Sequence, residues 1–229
     1  MIELIVCDMA GTTVDEHADV YRALENSVRE TGAEVTAQNL QAWMGAEKRE
    51  AITALIALGG GVPETRLVDA TFERFRELLF SYYEQNPPVA LPGVVEAFQK
   101  LAAQGIKIAL TTGFSRDVAS VILPQLGWAV GEGELLDAVV TADEVAAGRP
   151  APYMIHRVME LTGIRDVRKV IAAGDTVNDL QAAKNAGVIA VGVLTGELGR
   201  GDLEIHEHDV ILDGVAQLPE FISHLEAKA

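Results

Sequence analysis

The chain has 229 residues, of which 49% are hydrophobic and 23% are charged, a balance typical of one large folded domain or of a domain that carries a smaller one. Its 34 acidic and 18 basic residues give a net charge of −16, which repels nucleic-acid phosphates and anionic membranes, so we expect neither as a partner. The single cysteine, Cys7, excludes an internal disulfide, and without a signal-peptide pattern or an apolar run of bilayer length we expect a cytoplasmic protein.

Short apolar runs alternate with helical segments along the chain, which is the pattern of a parallel sheet covered by helices. Six of these runs are continuous enough to be strands buried on both faces. They are residues 4–7, 106–110, 138–140, 170–173, 189–193 and 210–212. The predicted fold class is therefore α/β.

Residues 16–88 lack strand patterning, and their apolar residues recur at the helical spacings of three and four. Three helical faces are predicted: Tyr21, Leu24 and Val28; Ile52, Leu55, Ile56 and Leu58; and Phe72, Phe75, Leu78, Leu79 and Tyr82. The triplet at 59–61 is predicted to be a turn, since it lacks the lysine and the preceding strand of a phosphate-binding loop. We expect a helical cap over 16–88, inserted into a core formed by 1–15 and 89–229.

Reactive side chains directly follow three of the predicted strands: Asp8, the triplet Thr111-Thr112-Gly113, and Asp175. Because the carboxyl ends of parallel strands meet at one edge of a sheet, we expect these residues to converge. Taken alone, Asp8 is either a nucleophile above a turn whose N–H groups receive phosphoryl oxygens or a capping residue.

Asp175 and Asp179 stand four residues apart at the start of a predicted helix, within reach of one cation. Taken alone they would be a cap and a first-turn acid. A carboxylate that attacks an anionic phosphoryl group needs a divalent ion to offset the repulsion, and Mg²⁺ suits the oxygens of Asp8 and these two residues. Either threonine hydroxyl after the second strand, together with the Arg149 guanidinium, would bind the phosphoryl oxygens.

In this order and spacing the Asp, Thr, Arg and Asp-x-x-x-Asp motifs resemble the four motifs of the haloacid dehalogenase superfamily, over essentially the whole chain. The resemblance implies a Rossmann-like α/β core with an inserted helical cap, Mg²⁺ as cofactor, and Asp8 as a nucleophile that forms an aspartyl phosphate. It also implies that the metal ligands are Asp8, the backbone carbonyl of Ala10, Asp175 and Asp179.

Two departures from the superfamily pattern resemble one branch of it. Phosphatases carry a second aspartate two residues after the nucleophile, where this chain has Ala10, and a lysine in the third motif, where it has Arg149. Both departures are similar to phosphonoacetaldehyde hydrolases, or phosphonatases, whose cap also carries a lysine after Met-Gly. Here Met44-Gly45 precedes Lys48 at the matching spacing.

The chemistry of carbon–phosphorus cleavage explains why these features occur together. An imine between Lys48 and a neighbouring aldehyde accepts the electrons of the broken bond as an enamine. No leaving oxygen needs a proton, so an acid at the position of Ala10 is dispensable. For Lys48 to attack near pH 7 its pKa must fall, through burial or a cationic neighbour; taken alone, its charged neighbourhood is typical of a solvated helix face.

Ala51 stands where the phosphonatase pattern Met-Gly-x-x-Lys-x-x-His has the histidine that helps proton transfers. The expected substrate is therefore phosphonoacetaldehyde or a related carbonyl phosphonate. The alternatives are a phosphomonoesterase of the same superfamily, such as a phosphoglycolate phosphatase, which Ala10 disfavours, and a silent binding module, which the retained nucleophile disfavours.

The resemblance assigns catalysis to Asp8, Lys48, Thr111 and Arg149, with Thr111 preferred to its neighbour without a physical reason. Further contacts with the substrate are expected from Thr12, Met44, Thr112 and Gly113. It also implies a homodimer formed through the caps.

Overall fold

The computed structural model describes residues 1–227 and confirms the α/β fold class. Its strands are β1 (Leu4–Asp8), β2 (Val14–Asp15), β3 (Val89–Ala90), β4 (Lys107–Thr112), β5 (Ala138–Thr141), β6 (Val170–Gly174), β7 (Ile189–Val193) and β8 (Val210–Leu212). Six of them form one parallel sheet in the order β5-β4-β1-β6-β7-β8. The short β2 and β3 pair with each other in an antiparallel sheet.

The six predicted strands match the large sheet closely. Strands β7 and β8 occupy the predicted residues, whereas β1, β5 and β6 each run one residue further and β4 is shifted towards its carboxyl end. The ladder continues past the apolar runs because backbone pairing does not need apolar side chains; Asp8, for example, is still paired with Thr111. The strand ends therefore already contain reactive residues.

Strand β1 lies in the middle of the sheet, between β4 and β6. After β1 the chain builds outward through β4 and β5, and then crosses to the other side of β1 to form β6, β7 and β8. Ligands of open α/β sheets bind at such a reversal, outside the carboxyl ends of the strands. A ligand is therefore expected at the carboxyl ends of β1, β4 and β6.

Ten α-helices accompany the strands within residues 1–227. They are α1 (Asp19–Arg29), α2 (Ala37–Ala42), α3 (Lys48–Leu58), α4 (Thr65–Gln85), α5 (Val94–Ala102), α6 (Arg116–Gln125), α7 (Tyr153–Thr162), α8 (Val177–Ala186), α9 (Arg200–Glu204) and α10 (Leu218–Glu226). None of these described helices combines the length and apolarity needed to cross a membrane.

Helices α1, α3 and α4 pack on one another between β2 and β3 in chain order. Their predicted faces are mostly buried, but Leu58 is 56% exposed because α3 ends there and the chain turns away through the triplet at 59–61. Helix α2 was not predicted, since it is short and has no buried residue to create an apolar stripe.

The chain enters these helices after β2 and leaves them before β3, so the paired strands lie at both connections. Directly after β2, His17 and Ala18 have φ values of 59° and 57°, in the left-handed region that ordinary side chains rarely adopt. We propose that these strands mark the boundary between a core (1–15 and 89–229) and a cap (16–88). Lys228 and Ala229 lie outside the described residues.

Candidate active site

An aspartate and an arginine form the centre of the site. Asp8 ends β1, and the buried guanidinium of Arg149 donates from Nη2 to Asp8 Oδ1 and from Nη1 to Asp179 Oδ1. The third donor of Arg149, its buried Nε, has no hydrogen-bond partner among residues 1–227. A buried N–H group without a partner is costly, so this donor is left with an unsatisfied hydrogen bond.

Burial raises the pKa of Asp8 to about 6, with the Arg149 guanidinium opposing the shift and the Asp179 carboxylate adding to it. A nucleophilic carboxylate must be ionised. The ionised form of Asp8 therefore depends on nearby positive charge.

Asp175, which follows β6, is a buried carboxylate in a different environment. Its Oδ1 accepts a hydrogen bond of 2.7 Å from the Thr12 hydroxyl, and no lysine, arginine or histidine within the described chain forms an ion pair with it. Burial, followed by the charges of Asp8 and Asp179, raises the pKa of Asp175 well above its usual value. A Cβ on Gly196 would lie 1.8 Å from Asp175 Oδ2, so this loop can cover the carboxylate only with glycine.

Asp179 lies in the first turn of α8. Its carboxylate accepts hydrogen bonds from the backbone N–H and hydroxyl of Thr176 in a capping box, and from Arg149. In this arrangement the Asp179 carboxylate is bound by Arg149 and by the cap of α8, whereas the Asp175 carboxylate is bound by Thr12.

The donors at the strand ends fit a magnesium ion, although no group of three His, Cys, Asp or Glu side chains in residues 1–227 forms a complete metal site. Asp8 and Asp175 are hard oxygen donors, and the charge of Asp8 raises the pKa of Asp175. A divalent cation between them would offset that repulsion. Ala10 lies beside Asp8 on the same cavity wall, where its backbone carbonyl is a further oxygen donor.

Lys48 is buried at the first position of α3, which is the environment that imine formation requires, although its charged neighbours in the sequence are typical of a solvated face. Its Nζ donates to the Ala46 carbonyl over 2.9 Å and lies 5.8 Å from the centre of the Phe114 ring. Burial and then the Arg149 guanidinium lower the pKa of Lys48 to about 8. The amino-terminal end of a helix also disfavours a positive charge.

Lys48 and Asp8 line the same small cavity, which we call the inner cavity. Its volume is about 10 Å³, and it is lined by Asp8, Ala10, Val20, Tyr21, Gly45, Lys48, Thr112, Gly113 and Phe114. That space is about the size of one water molecule. The inner cavity therefore brings an amine from the cap segment and a carboxylate from the sheet together.

Thr112, and not Thr111, is on the wall of the inner cavity. Successive side chains of a strand point to opposite faces, so only one of the two can face the cap. We therefore propose Thr112 in place of Thr111 as the contact of the phosphoryl group. Gly113 faces Lys48 closely: a Cβ at Gly113 would lie 2.7 Å from the Ala46 carbonyl and 3.3 Å from Lys48 Nζ.

Met44 lies next to the inner cavity without lining it. It lines a larger cavity of about 360 Å³, the outer groove, together with Gln41, Thr176, Asn178, Gln181 and His206. The Met44 carbonyl accepts a hydrogen bond of 2.6 Å from Asn178 Nδ2. Thr12 is also occupied, because its hydroxyl donates to Asp175.

Three residues of this region were not singled out from the sequence as site residues: Tyr21, Phe114 and Asn178. Tyr21 was counted only as an apolar member of a helical face. Phe114 and Asn178 directly follow or belong to the predicted motifs, and that adjacency was the available signal. Their contacts with Lys48 and Met44 are long-range, which no local pattern encodes.

Comparisons with known proteins place the chain in one family. A family model described as haloacid dehalogenase-like hydrolase matches residues 2–187. Phosphonoacetaldehyde hydrolase from Bacillus cereus is 35% identical over 228 residues, an alignment that covers 92% of this chain and 83% of that protein.

Two solved structures share the fold. A hydrolase from Pseudomonas syringae is 20% identical with a TM-score of 0.86, over 98% of this chain and 99% of that one. A phosphonoacetaldehyde hydrolase-like protein from Oleispira antarctica is 24% identical with a TM-score of 0.83, over 99% of this chain and 93% of that one.

Proposed function

The chain belongs to the haloacid dehalogenase-like hydrolases, and on that premise we propose that it cleaves the carbon–phosphorus bond of phosphonoacetaldehyde or a related carbonyl phosphonate. The observation that supports this most is the inner cavity, where the amine of Lys48 and the carboxylate of Asp8 line one space. Carbonyl phosphonates are the class of substrate that needs both groups, one for the carbonyl carbon and one for phosphorus.

The first stage occurs at Lys48. The amine, neutral after losing a proton, adds to the carbonyl carbon, and the carbonyl oxygen then departs as water. In balance, the aldehyde and the lysine ammonium give one protonated imine and one water molecule. The pKa of about 8 makes the neutral amine accessible near neutral pH.

The second stage occurs at Asp8. A carboxylate oxygen attacks phosphorus, the carbon–phosphorus bond breaks, and its electron pair moves into the imine to form an enamine. The enamine takes a proton at carbon, and water hydrolyses the resulting imine to an aldehyde and the free amine. A second water hydrolyses the aspartyl phosphate to inorganic phosphate. No oxygen leaving group has to be protonated, which suits an alanine at position 10.

Arg149 and Thr112 are the proposed contacts of the phosphoryl oxygens. The unpartnered Nε of Arg149 is a charged donor, and the Thr112 hydroxyl lies on the wall of the inner cavity. Asp179 holds Arg149 in place, so we assign it to positioning this guanidinium in preference to direct metal ligation.

Mg²⁺ would be held by Asp8, Asp175 and the carbonyl of Ala10, and when bound it supplies positive charge that offsets the repulsion between nucleophile and phosphoryl group. Asp175 and Thr12 would then fix the ligand set through their hydrogen bond.

The test is release of inorganic phosphate by the purified protein with Mg²⁺ from phosphonoacetaldehyde, beside a panel of phosphomonoesters. Lys48→Arg keeps the charge but removes the amine nucleophile, and Lys100→Arg, at an exposed position on α5, is the matched control. We expect turnover of the phosphonate that Lys48→Arg abolishes and Lys100→Arg leaves unchanged. Turnover of phosphomonoesters alone, insensitive to Lys48→Arg, would favour an unusual phosphatase instead.

A further inference from the structure

Tyr21 is a polar residue of the site that the reaction described above does not use. It lies in the first turn of α1, directly after the left-handed residues His17 and Ala18. Its side chain is partly buried against the apolar core. The hydroxyl makes no hydrogen bond with any residue of the described chain, so the fold itself does not account for it.

Tyr21 lines two neighbouring cavities. One is the inner cavity, shared with Lys48 and Asp8. The other, of about 50 Å³, is lined by Tyr21 together with Asp175, Glu16 and Gly196. The phenol therefore reaches from the cap segment to the place where the amine and the carboxylates meet.

The hydroxyl keeps its proton at neutral pH, because the ordinary pKa of a phenol is about 10. A neutral phenol in this position donates a hydrogen bond, and it does so to an oxygen that gains negative charge.

At two other positions where a side chain could supply this hydrogen-bond donor, the chain has alanine. Ala10 stands where an acid would follow the nucleophile, and Ala51, one turn after Lys48 on the buried face of α3, has no polar atom. On the wall of the inner cavity, Val20, Gly45 and Phe114 also have no polar side-chain group.

Two other groups near Lys48 have partners already. Glu16 accepts the Val20 N–H over 2.7 Å. The Thr112 oxygen accepts the Phe114 N–H over 3.1 Å, and its own O–H is the proposed contact of a phosphoryl oxygen. Of these three groups, Tyr21 alone has no hydrogen bond within the described chain.

We propose that the Tyr21 hydroxyl donates a hydrogen bond to the carbonyl oxygen of the substrate while Lys48 attacks the adjacent carbon. The donor stabilises the negative charge that develops on that oxygen during the addition. The oxygen then takes up the two protons that the lysine ammonium loses in forming the protonated imine, and it leaves as water. This inference rests on the proposed function, since it concerns the imine-forming stage of that reaction.

The experiment compares Tyr21→Phe, which removes only the hydroxyl, with the wild type and with Tyr83→Phe. The hydroxyl of Tyr83 is buried and, like that of Tyr21, has no partner in residues 1–227, but Tyr83 does not line the inner cavity. Each protein is mixed with Mg²⁺ and phosphonoacetaldehyde, and the imine is trapped with borohydride at successive times. Mass spectrometry then gives the fraction of Lys48 that carries the substrate.

A second measurement isolates the phosphoryl stage. Acetyl phosphate is a small phosphoryl donor whose leaving acetate needs no proton, so its hydrolysis reports on Asp8 without an imine. We expect Tyr21→Phe to slow trapping at Lys48 by about 10- to 100-fold while acetyl phosphate hydrolysis changes less than about twofold. Tyr83→Phe should alter neither rate.

Three results would overturn the proposal, and they differ from one another. Trapping at the wild-type rate in Tyr21→Phe removes any part for the hydroxyl in imine formation. An equal fall in both reactions places the hydroxyl at the phosphoryl group and not at the carbonyl. Absence of trapping at Lys48 in the wild type overturns the proposed function itself, and the assignment of Tyr21 with it.

Discussion

Asn178 on α8 and Met44 in the cap segment are joined by a hydrogen bond of 2.6 Å, from the Asn178 Nδ2 to the Met44 carbonyl. The bond ties the segment that leads into α3 to the helix that follows β6. Nearby, a Cβ on Gly45 would lie 2.5 Å from the Thr176 hydroxyl oxygen. The position of Lys48 thus depends on contacts made four residues before it.

Asn178→Leu should loosen this segment. We expect imine trapping at Lys48 to slow by about 5- to 10-fold, because the amine is less well oriented, with a loss of about 1 kcal/mol in the free energy of unfolding. The control is Gln181→Leu, an exposed position of the same helix that also lines the outer groove. Equal trapping rates in the two variants would show that the hydrogen bond does not orient the amine.

The rate of trapping should depend on pH through Lys48. Its pKa is lowered from 10.5 to about 8, first by burial, and only the neutral amine attacks. We therefore expect the rate to rise about tenfold per pH unit below pH 8 and to level off above it. Borohydride trapping between pH 6 and 9.5, at substrate concentrations far below saturation, gives the midpoint. A rate that still rises steeply at pH 9.5 would mean that the pKa of the Lys48 amine is not lowered.

The same lowering of the pKa means that the charged form of Lys48 destabilises the folded protein. The unfolded chain holds the ammonium form up to about pH 10.5, whereas the folded protein disfavours it, so the penalty is complete below pH 8 and disappears above 10.5. Lys48→Met should raise the free energy of unfolding at pH 7 by about 1–3 kcal/mol, after the lost hydrogen bond to Ala46 is allowed for. Denaturant melts at pH 7 and pH 10.5 check this, since the gain should shrink at the higher pH.

Asp175→Asn distinguishes the contribution of Asp175 to metal binding from its effect on the stability of the fold. Without metal, the buried carboxylate of Asp175 is opposed by Asp8 and Asp179, and asparagine can still accept the Thr12 hydroxyl. We expect the variant to melt a few degrees above the wild type in EDTA, as about 1 kcal/mol would give. With Mg²⁺ the order should reverse, because only the wild type gains from binding. An equal Mg²⁺ shift in both proteins would place the ion elsewhere.

Ala10→Asp addresses the phosphatase alternative. The substitution supplies the acid that ester hydrolysis needs two residues after the nucleophile. If the site is dedicated to imine chemistry, turnover of phosphomonoesters such as phosphoglycolate should stay at the background level. A gain of about 100-fold or more, the usual contribution of a general acid, would instead indicate an ester site disabled at one residue. Inorganic phosphate release measures both cases.

The strands could be predicted because they are encoded locally. Residues 189–193 and 210–212 are continuous apolar runs, and each becomes a strand with those bounds. The two-residue strands β2 and β3 have no such run, and their pairing joins residues 74 and 76 positions apart. Nothing near Val14 or Val89 in the sequence indicates that contact.

The candidate site shows the same division. Motif spacing indicated Asp8, Arg149 and Asp175 from the sequence, but not that Arg149 would hold Asp8 and Asp179 together. The charged sequence neighbours of Lys48, taken alone, indicate a solvated helix face, whereas in the structure its side chain is buried. Tyr21 was missed for a different reason: helical periodicity treats tyrosine as an apolar residue and takes no account of where its hydroxyl points.

Lys48 and Asp8 both line the inner cavity. Their separation sets the length of a substrate that can reach both groups. Lys48 must reach a carbonyl carbon while Asp8 reaches phosphorus, and neither strand β1 nor helix α3 can shift without breaking its packing. The site would therefore select a substrate by the number of bonds between its carbonyl carbon and its phosphorus. We expect a phosphonate with one methylene more than phosphonoacetaldehyde to form an imine and yet release no phosphate. Its phosphorus would no longer be placed correctly for Asp8, and its carbon–phosphorus electrons have no conjugated path to the nitrogen.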